Sequence, residues 1–422
     1  MFKYIIILNL LGQILPAAER VENQIICSND EICSLTRPLS ANDGSTHLLP
    51  FKFKYRPAKN GAPTVVFIPG GPGDILSQAK TDKFLGVPED FGVILIDARF
   101  IGINSSESVK NFTNSITSVG VAQDILFTVK ALNISNYILY GVSYGTVPAT
   151  IASSLATDNP PRAILLDGTV GKSFSQLDYF KAFSKQWSNF IQTLDPNTFL
   201  KFKEKVKNLI KQKTFTADEI GSVIQVLLMS RNGGDAGKDI LQEFVTLFSL
   251  ADDLGSQYVM EIYVNQIRKK DQNLDRQLFH SIIVCKELSP DTHPDSADFS
   301  FNGESDELKD GGRADCNKYV KTKEINLFDS KQYQVHSPVL YFQGEDDPAT
   351  PISHSLYHFH NQIAPMGKSF IYRPKGAHGL LYDEFSQCAA NFWEKLNTSV
   401  DDSLRELEPC GATINPNFIQ QQ

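Results

Sequence analysis

Short apolar runs alternate with helical patterns from Leu49 to about Gly171, the runs being Thr64 to Ile68, Val93 to Ile96, Tyr137 to Tyr140 and Ala163 to Leu166. Runs of four or five β-branched and aromatic residues bounded by turn residues predict buried strands. The amphipathic stretch Val121 to Leu132 predicts a helix between two of them. Such alternation is the pattern of a mostly parallel sheet with helices on both faces. From about Lys172 to Val320 the strand signals fade. Helical spacing replaces them in Phe180-Phe183-Trp187-Phe190-Ile191-Leu194, in Leu200-Phe202-Val206-Ile210 and in Ile240-Phe244-Leu247-Leu250. Strand runs return at Val339 to Phe342 and Ser369 to Tyr372. A helical segment inserted between two strands of one sheet predicts a cap lying over the carboxyl edge of the strands.

The strand runs end in residues suited to chemistry. Tyr137 to Tyr140 leads into Gly141-Val142-Ser143-Tyr144-Gly145, and the small residues from Thr146 to Ala152 can start a helix. Glycine two residues before and two after a serine suits a sharp strand-to-helix turn, where a side chain would collide with the neighbouring strand or helix. Ser143 is the candidate nucleophile. The five-residue pattern alone is common, so order along the chain decides its weight: an acid must follow a later strand, and a histidine must follow the acid. Val339 to Phe342 opens into Gln343-Gly344-Glu345-Asp346-Asp347-Pro348-Ala349-Thr350-Pro351, and Ser369 to Tyr372 leads to Gly376-Ala377-His378-Gly379. Upstream, Thr64 to Ile68 runs into Pro69-Gly70-Gly71-Pro72-Gly73, a loop whose glycines let an N–H approach a developing oxyanion. The N–H groups of Gly71 and Tyr144 are the expected donors. Loop, serine, acid and histidine in this order predict an α/β-hydrolase with an inserted helical cap and serine hydrolase chemistry. The expected division is a first part of the core over 19–172, a cap over 173–330 and a second part of the core over 331–422.

At 422 residues the chain exceeds what one core usually supports, which agrees with a large domain plus an insertion. A net charge of -8 argues against a nucleic-acid partner, because phosphate binding calls for a basic face. Met1-Phe2-Lys3, the apolar stretch Tyr4 to Leu11 and the small residues up to Ala18 form a signal-peptide pattern over 1–18, too short for a membrane span. An exported protein without a membrane anchor is expected. Cys27, Cys33, Cys285, Cys316, Cys388 and Cys410 are an even set, as export would favour, and sequence proximity suggests pairing them in that order. A zinc site is the rival reading, but no C-x-x-C pair exists. Asn104, Asn111, Asn133 and Asn397 lie in N-x-S/T sequons. The stretch Ser289 to Gly312 is acidic and reads as a solvated loop. His354 and His358 sit four apart on a predicted helix with His360 nearby. No carboxylate or cysteine completes a metal site with them, and neither metal nor other cofactor is expected.

With these elements in place, the chain resembles the tripeptidyl and prolyl aminopeptidase family of α/β-hydrolases over most of its mature length. The resemblance rests on Pro69 to Gly73, Gly141 to Thr146, Leu166-Asp167-Gly168, Gly344 through Asp347 to Thr350-Pro351, and Gly376 to Gly379. Prolyl enzymes usually carry histidine where this chain has Pro69, so the likeness leans to the tripeptidyl branch. The family's D-x-R-G-x-G-x-S stretch appears as Asp97 to Ser105 with Phe100 in place of glycine, a departure expected to reshape the pocket rim. Cys285 with Cys316 resembles the family's cap cysteines, and Cys388 with Cys410 its terminal pair.

The resemblance implies an exported serine exopeptidase that releases single residues or short peptides from substrates with a free amino terminus. Ser143 attacks, His378 moves the proton and a carboxylate orients the imidazole. Counting back from Thr350-Pro351 in the family pattern selects Asp347, with Asp346 as the neighbouring alternative. Glu287, two residues after Cys285, resembles a position where the family places an acid, and is the candidate to bind the substrate's protonated amine. Two other functions use the same sequence features: an esterase or lipase with this triad, and a hydrolase-like binding protein without turnover.

Overall fold

The computed structural model describes residues 25–38, 48–81, 84–105, 112–174, 177, 179–229, 240–271, 274–289, 299, 301, 316, 320–321, 324–381, 385 and 391–414. The signal-peptide pattern, Asn111, Cys388 and nearly all of the acidic stretch from Ser289 to Gly312 lie outside these residues.

Ten strands form one sheet in the order β1-β2-β3-β5-β4-β6-β7-β8-β9-β10. Six central strands run parallel: β5 (Gly92–Leu95), β4 (Thr64–Ile68), β6 (Tyr137–Val142), β7 (Ala163–Asp167), β8 (Val339–Gly344) and β9 (Lys368–Arg373). Their near-continuous apolar runs follow from burial on both faces. In β4, Val66 and Ile68 enter the core on one face while Val65 and Phe67 enter the core on the other. The edges were not visible in the pattern. β1 (Ile26–Cys27), β2 (Ile32–Pro38) and β3 (Leu48–Arg56) add antiparallel pairing beside β5, and β10 (Thr413–Ile414) pairs antiparallel with β9.

Helix α1 (Ser118–Ala131) is capped by Thr117, whose hydroxyl accepts from the Gly120 N–H at 3.0 Å. It packs with α2 (Thr146–Leu155) on one face of the sheet. Between β7 and β8 come α3 (Tyr179–Thr193), α4 (Pro196–Lys211), α5 (Ala217–Met229), α6 (Ile240–Leu250), α7 (Asp253–Asp271) and α8 (Leu274–Ile283). α8 runs on into a π turn over Val284–Leu288. Residues of α3 to α7 share a core of their own, with Phe183, Trp187, Phe202, Phe244 and Phe248 fully buried in it. α8 does not belong to that core: Phe279, Ile282, Ile283 and Leu288 are part of the sheet's. After β8 come α9 (Ile352–Asn361), α10 (Phe392–Thr398) and α11 (Val400–Arg405). No helix among the described residues is long and apolar enough to cross a membrane.

Disulfides join Cys27 to Cys33 and Cys285 to Cys316. Cys410 is also disulfide-bonded. Among the sequons, Asn133 is exposed, whereas the half-buried Asn104 amide donates to the carbonyls of Lys52 and Asp97 at 3.0 Å each.

Candidate active site

Ser143 stands between the end of β6 and the start of α2 with φ of 54°, a left-handed conformation that the elbow imposes on a residue with a side chain. The two flanking glycines are needed for a measurable reason. A Cβ at Gly141 would lie 2.4 Å from the Gly145 carbonyl oxygen, and one at Gly145 would lie 2.2 Å from that of Ile68. The loop after β4 presses on the same point, since a Cβ at Gly70 would lie 3.0 Å from Ser143 Cβ. Gly71 and Tyr144, the expected oxyanion donors, are therefore the residues immediately after Gly70 and Ser143, where the two backbones meet.

Register places the histidine. Val142 of β6 pairs with Asp167 of β7, so Ser143 and Gly168 are the next residues on adjacent parallel strands. A Cβ at Gly168 would lie 2.8 Å from His378 Cε1, so the imidazole lies over Gly168, the residue next to Ser143 in strand register. His378 Nδ1 donates to Asp347 Oδ2 at 2.8 Å. The D-x-x-T-P turn explains why this acid is oriented. Asp347 Oδ1 accepts from the N–H groups of Ala349 and Thr350, both at 2.9 Å, and Oδ2 accepts from the Thr350 hydroxyl at 2.7 Å. Asp347 is 3% exposed. Asp346 Oδ1 accepts from Gln186 of α3 at 3.5 Å.

One residue whose role the sequence did not reveal is Asp167. Fully buried, it accepts from the N–H groups of Leu380 and Leu381 at 2.8 and 2.9 Å and from the Tyr140 hydroxyl at 2.9 Å. It thereby holds the loop that carries His378. The available signal was a carboxylate ending an apolar strand, since a buried acid needs donors to satisfy it.

Phe100 is 2% exposed, sits in the sheet's core at φ of 68°, stacks on Phe112 with centroids 5.7 Å apart, and lines a cavity of about 90 Å³ with Arg99, Ile103 and Asn104. The aromatic contact accompanies a backbone conformation that glycine adopts more cheaply. Glu287 does not face a substrate. Lying in the π turn and 8% exposed, it accepts from the Ser118 N–H at 2.9 Å and from the Ser118 hydroxyl. The cavity beside it, lined by Ser118, Glu287, Phe328 and Tyr333, measures about 10 Å³, room for at most one water and too small for a peptide terminus. Burial pushes the Glu287 carboxyl up to about 7, against the lowering effect of its Ser118 contacts.

The paired histidines of α9 are structural. His358 Nε2 meets Thr150 at 2.9 Å and Nδ1 meets the Tyr341 hydroxyl at 2.8 Å. Burial lowers His354 to about 4 and His358 to about 3, so both are neutral at pH 7. Among the described residues no group of three His, Cys, Asp or Glu could hold a metal ion.

Comparison with known proteins adds the family. The fold is similar to that of a proline iminopeptidase from Mycobacterium smegmatis, at 14% identity and TM-score 0.45 over 86% of this chain and 98% of that one. It is similar at 12% identity and TM-score 0.42 to an epoxide hydrolase from Vigna radiata, over 89% and 99% of the two chains. A serine hydrolase from Cycloclasticus zankles gives 10% identity and TM-score 0.44 over 87% and 100%. No curated protein matches the sequence. The family model of the alpha/beta hydrolase fold matches residues 63–385, a span that contains the loop, the elbow, the acid turn and the histidine, and the chain belongs to that family.

Proposed function

We propose that this hydrolase is an exported serine exopeptidase, releasing single residues or short peptides from substrates with a free amino terminus by way of an acyl-enzyme on Ser143. The observation that carries the chemistry is the 2.8 Å contact of His378 Nδ1 with Asp347 Oδ2, on an imidazole laid over Gly168, the strand neighbour of Ser143. In the first half-reaction Ser143 Oγ attacks the scissile carbonyl and His378 Nε2 takes its proton. The N–H groups of Gly71 and Tyr144 receive the oxyanion, and His378 returns the proton to the departing amine. In the second half a water repeats the sequence on the acyl-enzyme, and the acid product leaves.

The peptidase reading is supported by the family motifs from Pro69 to Gly379, and export by the signal-peptide pattern and the disulfides. Its test is a panel of aminoacyl, dipeptidyl and tripeptidyl chromogenic amides, their N-acetylated twins and short-chain esters. Free-amine amides are expected to exceed their acetylated twins in kcat/KM by on the order of a hundredfold, because an amine site leaves a buried carboxylate unpaired when the terminus is blocked. Turnover of short esters without peptide cleavage would make the protein an esterase instead. With Glu287 enclosed against Ser118, the preference is expected to survive Glu287→Gln.

A further inference from the structure

α8 and its π turn touch the backbones or side chains that flank both expected oxyanion donors. At the Gly71 end, His280 Nδ1 donates to the Pro72 carbonyl at 3.1 Å, and a carbonyl can only accept, so the proton is on Nδ1. Arg276 Nε donates to the Gly73 carbonyl at 2.7 Å, while its Nη2 pairs with Asp74 at 2.7 Å. The loop also packs closely on the helix, because a Cβ at Gly73 would lie 3.4 Å from the Arg276 carbonyl oxygen. At the Tyr144 end the contact runs through Ser118. Its hydroxyl donates to Glu287, so it accepts from the Tyr144 hydroxyl, 3.0 Å away. Burial raises the Tyr144 phenol well above its usual value, which keeps it a neutral donor.

The spacing is that of one face. Arg276, His280, Ile283 and Glu287 follow at intervals of four, three and four, so one helical stripe reaches from the loop to the elbow. Other contacts fix the element along its length: Ser105 donates to Asp275, Lys286 Nζ donates to the Thr113 carbonyl, and Cys285 is bonded to Cys316. An oxyanion hole works only when its donors stand within a few tenths of an ångström of the oxyanion, and loops alone hold such positions poorly.

The geometry points to α8 with its π turn as the element that aligns the oxyanion hole, with Arg276, His280 and Glu287 as its positioning residues. This rests on the proposed serine hydrolase chemistry. His280 and Arg276 fix the Pro72–Gly73 and Gly73–Asp74 peptide planes just after Gly71, and Glu287 fixes Tyr144 through Ser118. None of the three touches the substrate. Their effect belongs to the transition state, where the carbonyl oxygen becomes an anion, and not to ground-state binding.

The experiment measures kcat, KM and the Ki of a boronic acid that forms a tetrahedral adduct on the serine, for Arg276→Met, His280→Leu and Glu287→Gln. Ser143→Ala and the cap-body variant Arg268→Met serve as controls. Each α8 variant is expected to lose kcat by about tenfold to a hundredfold, less than or comparable to deletion of a donor, with KM within about twofold and the boronate Ki rising in step with the loss of kcat/KM. Arg276→Lys is expected to recover most of the Arg276→Met loss. Arg268→Met, which removes the exposed pair with Glu219, is expected to change neither constant. Should Glu287→Gln fail to fold, the two half-exposed positions Arg276 and His280 decide the question. Wild-type kcat and boronate affinity in both variants, or a rise in KM with kcat unchanged, would overturn the alignment role. Full activity of Ser143→Ala would instead overturn the hydrolase chemistry beneath it.

Discussion

Helices α3 to α7 and helix α8 come from the same insertion, yet they bury their apolar faces in different places. The first five build a core around Trp187, Phe202 and Phe244, while α8 puts Phe279, Ile282 and Ile283 into the core of the sheet. The insertion is therefore two things in one stretch of chain. α8 with its π turn shares the packing of the sheet and carries polar side chains to the loop after β4 and, through Ser118, toward Tyr144 of the elbow. The cap body packs mainly on itself, with Ala349 of the acid turn as the sheet-side residue in its core. Changes in the body are expected to alter which substrates enter, and changes in α8 to alter what happens to them.

The largest effect falls on the sheet side of that division. Ser143→Ala removes the proposed nucleophile, while alanine still fits the elbow, and kcat is expected to fall by about 10⁴-fold or more with the fold intact. His378→Ala should match it. Asp347→Asn should come close to both, because the amide cannot accept His378 Nδ1–H in the geometry that the N–H groups of Ala349 and Thr350 impose. Asp346→Asn, directed at Gln186 of the cap body, should leave kcat near wild type. A loss of equal size from Asp346→Asn would erase the difference between the two regions.

The sequence made one of these regions far more legible than the other. Parallel strands buried on both faces leave apolar runs, and chemistry at their carboxyl ends leaves glycines and acids at fixed offsets, so the runs before Pro69, Gly141, Gln343 and Gly376 could be recognised. Edge strands such as β1 and β10 are two residues long and leave no pattern. Periodicity found α3, α4 and α6 but could not say which core each helix joins. Glu287 is matched to the substrate's amine by its resemblance to a position where the family places an acid. A carboxylate near a cysteine reads alike in sequence whether it meets a ligand or the start of α1, and only contact with Ser118 separates the two.

A middle-sized effect would sharpen the comparison by acting on the body alone. Trp187 is 1% exposed at the centre of the cap core, and Trp393 is 2% exposed in the sheet's, so the chain's two tryptophans report one region each. Trp187→Ala is expected to cost about 3–5 kcal/mol within the cap body. The measurable result is an early unfolding transition that Trp393 fluorescence does not follow, together with a raised KM for peptides and an unchanged kcat on a small activated ester. A single transition with lost ester turnover would show that body and sheet unfold together.

The smallest effect is a pH dependence confined to the sheet side. The cap body, from Tyr179 to Asp271, contains no histidine, whereas His354 and His358 are fully buried on α9 beside β8. Burial lowers both below the unfolded value, to about 4 and about 3, so the unfolded chain binds more protons as pH falls below 6.5. Stability from these groups is therefore full above pH 6.5 and is lost as pH falls toward 4, by roughly 2 kcal/mol for each at pH 5. Glu287 opposes them. Its folded value of about 7 lies above that of the unfolded chain, so its cost is present above pH 7 and relieved as pH falls toward 4.5. The net loss in the wild type is expected to be that of about one histidine. His358→Gln should flatten the fall of Tm between pH 7 and 5 while lowering Tm at pH 7 through the lost Tyr341 and Thr150 contacts; Glu287→Gln should steepen it. Trp393 emission should report the acid transition before Trp187 emission does. If Trp187 responds first, the acid-sensitive region is the cap body, and the division between the two cores does not extend to their response to pH.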